Sequence, residues 1–488
     1  MKPYRLLLSA AVFAALWWGV ELGRPETGAM AAVAGLMACL WLTEAIPLAV
    51  TALLPLVLFP LLGIAATKAV AAKYMNATVF LLLGGFLIAQ ALERWQLHRR
   101  IALGVLGVFG GRPVAVLAGF VCATAFLSMW ISNTASTLVM LPIASAVLSR
   151  FEALLPAEQA RCFAVALLLA LAYAASLGGV MSLVGSPPNL VFARLYQEAT
   201  GVEVDFLRWT LVGLPVGATL LAVLVGYLAL VYLRRLESGV DLAGVVAAER
   251  AALGPMGREE KAVAGVFAAT ALLWLTRKGV TLGNLRLPGW QSWLPHGGMV
   301  DDGTVAIAMA VLLFLLPARR EDGGRTTLLD ATVFSRLPWG VVILFGGGFA
   351  LASGFVDSGL SAWLAARLGN FAGIGRLGAV TLMAAGMTFL TELTSNTATT
   401  QLVLPLLASL ARVLHLEPVW LMLPAALSAS CAFMFPVATP PNAIVFASGR
   451  LAIGDMVKTG LLLNLVGIAV VVAVTSGLIP LLFEEVGG

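Results

Sequence analysis

The chain has 488 residues, 60% of them hydrophobic and 11% charged, with a formal net charge of +5. A soluble domain carries about 25% charged residues, so soluble enzymes and nucleic-acid binders are excluded, and the positive balance reflects Lys and Arg in loops beside lipid headgroups. Apolar runs of about 20 residues recur along the whole length, the mark of an integral membrane protein with no soluble domain.

Candidate spans cover residues 5–22, 28–46, 47–65 and 77–92. The first begins after Lys2 and Arg5 and runs into Trp17-Trp18 with no small-x-small cleavage site, so it reads as a retained helix. The fourth leads into Leu92–Arg100, too charged to cross lipid and patterned as an interfacial helix whose Arg94–Arg100 cluster faces headgroups. Residues 113–149 carry no charged side chain and are interrupted by Ser132-Asn133-Thr134-Ala135. That length fits either two spans or a re-entrant hairpin.

A span at 162–185 stops at Gly185-Ser186-Pro187-Pro188-Asn189. Prolines there remove donors, break the helix and free carbonyls. Next come a span at 206–233, a polar loop at 234–262 with Arg234, Arg235, Arg250, Arg258 and Lys261, spans at 263–276 and 303–317, and a basic loop with Arg319, Arg320 and Arg325.

Then the pattern restarts. A span at 338–355 matches 77–92 through Gly347-Gly348-Phe349 and Gly84-Gly85-Phe86, and a moderately polar helix near 356–369 matches the interfacial one. Residues 377–411 hold Ser395-Asn396-Thr397-Ala398, and both motif pairs are 263 residues apart. A span at 418–437 ends in Ala438-Thr439-Pro440-Pro441-Asn442, here at an offset of 253, and the last span is 459–482. These spacings predict an all-α membrane protein of about eleven spans in two repeats. An N-terminal helix, 1–27, precedes a first repeat, 28–262, with a hairpin at 113–150 and a broken helix at 162–200. The second repeat, 263–488, has its hairpin at 376–412 and its broken helix at 418–450. Five spans, an odd number, separate equivalent elements, so the repeats are inverted. The Lys and Arg bias places the N-terminus in the cytoplasm and Glu484-Glu485 outside a plasma or inner membrane. The four cysteines, Cys39, Cys122, Cys162 and Cys431, have no metal-ligand spacing and read as small buried thiols.

Backbone interrupted at mid-membrane must line a cavity or be buried in protein. Inverted repeats with discontinuous helices point to a secondary transporter that binds cargo where the repeats meet. Ser, Asn and Thr offer donors to an anion and oxygens to a cation. Half-helices starting at Asn133 and Asn396 aim a positive dipole end at the gap. Carbonyls freed at Gly185 and Ala438 suit a hard cation. No Lys or Arg lies within 113–149, 162–193, 377–411 or 418–449. Since bare buried charge is costly, a dianion held there needs a co-bound cation, and an all-oxygen site favours sodium. Glu392, the one acid in the two hairpins, reads equally as a cation ligand, a helix-end contact or a solvated pore-facing acid. His98, His296 and His415 sit at helix ends or in a loop and are not catalytic candidates.

At these motifs the sequence resembles the divalent anion–sodium symporter family, the INDY-type dicarboxylate carriers, over essentially the whole chain. The resemblance implies eleven spans, two opposed re-entrant hairpins, a homodimer and an elevator-like transport part. It implies that Ser132, Asn133, Thr134, Ser395, Asn396 and Thr397 contact substrate carboxylates, helped by Thr439 and Pro440, with Ser186 and Pro187 at the matching first-half break. It implies one sodium site at Ser128, Asn133 and the Gly185 carbonyl region, and another at Thr391, Asn396 and the Ala438 region. Two intact Ser-Asn-Thr motifs resemble those of carriers of succinate, fumarate and malate. The function expected is sodium-coupled import of C4-dicarboxylates, with no nucleic-acid partner; sodium-independent exchange, and sulfate or citrate as cargo, are the alternatives. An embedded enzyme lacks any HExxH, GxSxG or paired acids in the sequence. A passive channel requires a continuous pore, which closed hairpin tips do not offer.

Overall fold

The computed structural model of the chain describes residues 3–19, 25–234, 236, 242–282, 285–319, 324–368 and 375–483, so Arg235, Arg320 and Glu484-Glu485 lie outside the described residues. Helices α1 (Pro3–Gly19) and α2 (Pro25–Thr43) pack together, and α3 (Leu48–Thr51), α4 (Leu54–Leu61) and α5 (Thr67–Ala72) follow. The expected single span over 47–65 is therefore two short helices. Pro55 stands in the first turn of α4, where a missing N–H is tolerated and where the preceding helix cannot continue.

Asn76 caps α6 (Ala77–Arg94) by accepting the amides of Thr78 and Val79. The chain turns at left-handed Gln96, φ 55°, into α7 (Leu97–Leu106). The arginines of this stretch are ion-paired within the protein. Arg94 pairs with Asp330 at 2.9 Å, Arg99 with Glu249 at 3.1 Å, and Arg100 with Glu260. Glu249 and Glu260 come from 234–262, read as a polar loop but holding helix, and Asp330 from the stretch just before the span at 338–355.

The first hairpin is α8 (Pro113–Ser128) and α9 (Asn133–Leu154). Then come α10 (Ala157–Val180), α11 (Pro187–Thr200), α12 (Phe206–Leu228), α13 (Leu242–Leu253), which bears Glu249, and α14 (Arg258–Thr276). A two-stranded ribbon, β1 (Gly279–Leu282) and β2 (Leu285–Pro288), precedes α15 (Asp302–Leu315), and a second, β3 (Pro317–Arg319) and β4 (Arg325–Thr327), follows it; both are antiparallel. The last stretch is α16 (Trp339–Asp357), α17 (Leu360–Leu368), the second hairpin α18 (Arg376–Thr391) and α19 (Asn396–Val413), then α20 (Val419–Ser428), α21 (Pro440–Phe446) and α22 (Ile453–Leu482).

Seven of these helices are long and apolar enough to cross a membrane, and six shorter apolar ones join them. At 16 residues each, α8 and α18 are about 24 Å long, short of a hydrocarbon core of about 30 Å. Both interrupted segments are thus helical hairpins whose first limbs are too short to cross. Adding 263 to the bounds of α8 gives those of α18, and both second limbs begin on the Asn of a Ser-Asn-Thr.

The Gly-Gly-Phe motifs serve packing. A Cβ on Gly84 would sit 2.5 Å from that of Ala306 on α15, and one on Gly347 would sit 2.3 Å from the Ala52 carbonyl oxygen. The core centres on α10, buried from Phe163 through Val180, with α8, α9, α12 and α21 around it. A helix apolar on every side has no face for solvent, so it becomes the hub. Among the cysteines only Cys431 is buried; Cys122 is exposed and Cys39 and Cys162 are partly so. An apolar helix face turned outward toward lipid accepts a thiol as readily as a core does.

Candidate functional site

One chamber of about 900 Å³ lies where the hairpin tips and the two helix breaks meet. Ser132, Asn133, Thr134, Ser395, Asn396 and Thr397 line it, as do Ser186, Pro187, Thr439 and Pro440. Every residue expected at the substrate therefore faces one space, drawn from four helix starts far apart in sequence. Ser132 caps α9 by accepting the Ala135 amide at 3.2 Å, and Thr439 caps α21 by accepting the Asn442 amide at 3.3 Å. The starts of α9, α11 and α19 turn the positive ends of their dipoles toward the chamber.

Ser128 and Thr391 sit fully buried at the ends of α8 and α18. Ser128 Oγ is 2.7 Å from Asn133 Oδ1 and 2.6 Å from the Ala175 carbonyl oxygen. Thr391 Oγ1 is 2.6 Å from Asn396 Oδ1 and 2.9 Å from the Ala429 carbonyl oxygen. A hydroxyl has one hydrogen to give, so each cluster holds one more acceptor than it has protons to satisfy. That surplus suits a hard cation. In the first half the backbone closes in as well. A Cβ on Gly179 would lie 2.5 Å from Asn133 Oδ1 and 3.1 Å from the Gly185 carbonyl oxygen, and one on Gly185 would lie 2.9 Å from the Ser128 carbonyl oxygen. Glycine at both positions lets the oxygens gather. Gly185 and Ala438 both line the chamber, and the Ala438 amide donates to the Phe435 carbonyl at 3.2 Å.

The breaks free fewer carbonyls than the prolines alone predict. Asn189 donates its amide to the carbonyls of Gly179 (2.8 Å) and Ser182 (2.7 Å), and the Trp209 indole takes Val180 (2.9 Å). Asn442 repeats this at Ala432 (3.2 Å) and Phe435 (3.0 Å). The Asn of each Pro-Pro-Asn is thus the tie that holds the unwound chain open. Glu392 is a backbone contact and does not line the chamber. Buried beneath the second tip, it accepts the amides of Phe433 (2.7 Å), Met434 (2.9 Å) and Phe435 (3.3 Å) and the side chain of Asn464 (2.7 Å).

Sequence reasoning missed the rest of the wall. Trp130 and Leu393 precede the two tips, Val184 and Val437 precede the breaks, and all four line the chamber; adjacency to the motifs was the available signal. Arg5, Glu44, Glu93 and Arg336 add charged groups to the lining. Arg5 donates to the Thr43 carbonyl at 2.6 Å, which puts the start of α1 and the end of α2 on one face. At the other end of α6, Ala77 and Thr78 line a second, smaller cavity beside a polar cluster. There buried Arg277 holds Asp302 and Glu203, each at 2.6 Å, and Lys278 holds Glu203 at 2.7 Å. Burial pushes the Glu203 carboxyl up, but Lys278 and Arg277 outweigh it and leave the group below the usual carboxylate range.

A chamber built from two hairpin tips and two helix breaks is the arrangement of a carrier, and the sequence comparisons agree. Residues 6–483 match the family described as the sodium:sulfate symporter transmembrane region. The chain belongs to the sodium:sulfate symporter family. Among the relatives of this symporter is the sodium-dependent dicarboxylate transporter SdcS of Staphylococcus saprophyticus, 41% identical over 448 residues, covering 90% of this chain and 84% of the relative. The SdcS of Staphylococcus aureus strain USA300 is 39% identical over 449 residues with the same coverage. In fold alone, the symporter is similar to the YdaH transporter of Alcanivorax borkumensis (TM-score 0.58, 14% identity, 84% of this chain and 86% of that one). MtrF of Neisseria gonorrhoeae, described as one of a class of antimetabolite efflux pumps, gives a TM-score of 0.53 at 14% identity over 83% and 82%. The symporter is a multi-pass membrane protein and a transporter, not an enzyme.

Proposed function

We propose that the protein imports C4-dicarboxylates such as succinate, fumarate and malate by coupling them to inward sodium. The observation that carries this reading is the pair of acceptor-rich clusters directly behind two tips that present no basic side chain. In this reading Ser128 and Asn133, with the Gly185 region, hold one sodium ion, and Thr391 and Asn396, with the Ala438 region, hold another. The two cations and the helix starts then offset a dianion whose carboxylates meet Ser132, Asn133, Thr134, Ser395, Asn396 and Thr397. Thr439, Pro440, Ser186 and Pro187 complete the wall. Arg5 and Arg336, which line the same chamber but belong to neither tip, draw the anion in.

The repeats span 28–262 and 263–488 behind the N-terminal helix 1–27, and the N-terminus is cytoplasmic. The face bearing Arg5 is then the inner one. The hairpins, broken helices, α12 and α22 move as one body past the rest, in a homodimer. The SdcS relatives support the sodium and dicarboxylate assignments through their names.

Uptake of labelled succinate by proteoliposomes tests the proposal. An imposed inward sodium gradient is expected to drive accumulation, and its removal to stop it. Uptake indifferent to sodium but dependent on internal dicarboxylate establishes an exchanger instead.

A further inference from the structure

We propose that Glu392 is a positioning residue that sets the second sodium site by clamping the unwound chain between α20 and α21. This rests on the reading of Thr391 and Asn396 as sodium ligands. Helix α20 ends at Ser428 and α21 begins at Pro440, so the amides of Phe433, Met434 and Phe435 have no helical carbonyl to turn back to. The Glu392 carboxylate, 2% exposed, takes all three, and Asn464 of α22 adds a fourth donor.

The same stretch is gripped from its carbonyl side, because Asn442 donates to Ala432 and Phe435. Acid and amide together fix the path of the chain that leads from Ala429, whose carbonyl meets Thr391, to Ala438 at the chamber wall. With both oxygens occupied by these donors, the carboxylate acts through the backbone and not as a ligand. Among the described residues no Lys or Arg pairs with it. A carboxylate buried without a cation is costly, and the four donors are what make it tolerable there.

The first half lacks this device. Position 129, its counterpart at the 263-residue offset, is Met, and there the Ser182 hydroxyl donates to the Met129 carbonyl instead. The second site therefore depends on a buried acid and the first does not.

The test separates position from charge. Gln keeps the reach of Glu and one oxygen for Phe433, Met434 and Asn464, but loses the charge and sets an NH2 donor against the Phe435 amide. Asp keeps the charge but draws back by a methylene. Sodium-dependent succinate uptake is measured in proteoliposomes, together with the sodium-induced rise in Tm of the purified protein. Glu392→Gln is expected to raise the half-saturating sodium concentration about threefold and Glu392→Asp about tenfold or more. Uptake at saturating sodium stays near wild type, and the sodium-induced rise in Tm shrinks in the same order. Glu392→Asp behaving as wild type while Glu392→Gln fails overturns the clamp in favour of charge alone; two wild-type responses also overturn it. Thr391→Ala separates the premises. If it keeps the full sodium response, the sodium-site reading fails; if it loses the response while both Glu392 variants keep it, only the clamp fails. Should Glu392→Asp not fold, Asn464→Leu removes one donor and leaves the acid. A rise of about twofold in half-saturating sodium is then expected, and an unchanged value overturns the proposal.

Discussion

Asn133 and Asn396 each perform two tasks from one position. Each begins a helix whose start faces the chamber, and each turns its Oδ1 onto the hydroxyl at the end of the preceding limb, Ser128 or Thr391. Replacing either by Ala removes an oxygen from the cation cluster and an amide from the anion wall. Asn133→Ala and Asn396→Ala are each expected to lower succinate uptake by about a hundredfold or more while the protein still elutes as a folded species. Near-normal uptake in either variant contradicts the assignment. These residues were legible because their motifs recur at one spacing. Glu392 was not, because its partners Phe433 to Phe435 are some forty positions away and a chain pattern does not register a contact of that range. The same holds for Asn189 and Asn442. Their prolines announced a break, but that the Asn side chain takes the freed carbonyls is a matter of geometry alone.

The broken helices and hairpins are the working elements, and their bounds follow from punctuation in the sequence: Pro113 opens α8, Pro187 opens α11 and Pro440 opens α21. Elements without such marks were misread. Residues 234–262 read as a polar loop because charges flank and interrupt α13, although its Val245 and Val246 are buried in the core and its Glu249 and Arg250 meet α7. The ribbons after α14 and α15 are too short for period-two patterning to register. Arg277 follows α14, just past the expected span 263–276, with no motif beside it to mark it. It is 1% exposed and joins α14 to α15 and to the α11–α12 turn through Asp302 and Glu203. Removing one partner of a buried ion pair strands the other, so Arg277→Ala is expected to destabilise the protein by about 3 kcal/mol or more, read as a lowered Tm in detergent. Glu203, held below the usual carboxylate range, stabilises the folded state above its unfolded value of about 4.3. That contribution is lost as pH falls through the lower folded value. Acid titration of Tm is therefore expected to show a decline below about pH 4 that Glu203→Gln flattens, and an unchanged decline in that variant contradicts the role given to Glu203.

Across the whole molecule, duplication explains both what is shared and what differs. Each half supplies a hairpin tip, a broken helix and a hydroxyl–amide–carbonyl cluster, so in the proposed reading cargo and cations meet matching groups from both halves. The halves differ in their charged surroundings: Arg5, Glu44, Glu93 and Arg336 line the chamber, while Arg277 and Lys278 bind Glu203 near the other end of α6. Sequence spacing revealed the duplication, but these long-range ion pairs are tertiary contacts that no repeat encodes. The central claim is that sodium stands in for arginine at the substrate, and by reciprocal linkage sodium must then tighten substrate binding as substrate tightens sodium. Its most direct measurement is the equilibrium Kd of purified protein for succinate, titrated at rising sodium against choline at constant ionic strength. The account predicts that Kd falls by at least about tenfold from sodium-free to saturating sodium, and that Thr391→Ala blunts the fall. An equal Kd in sodium and in choline would contradict it.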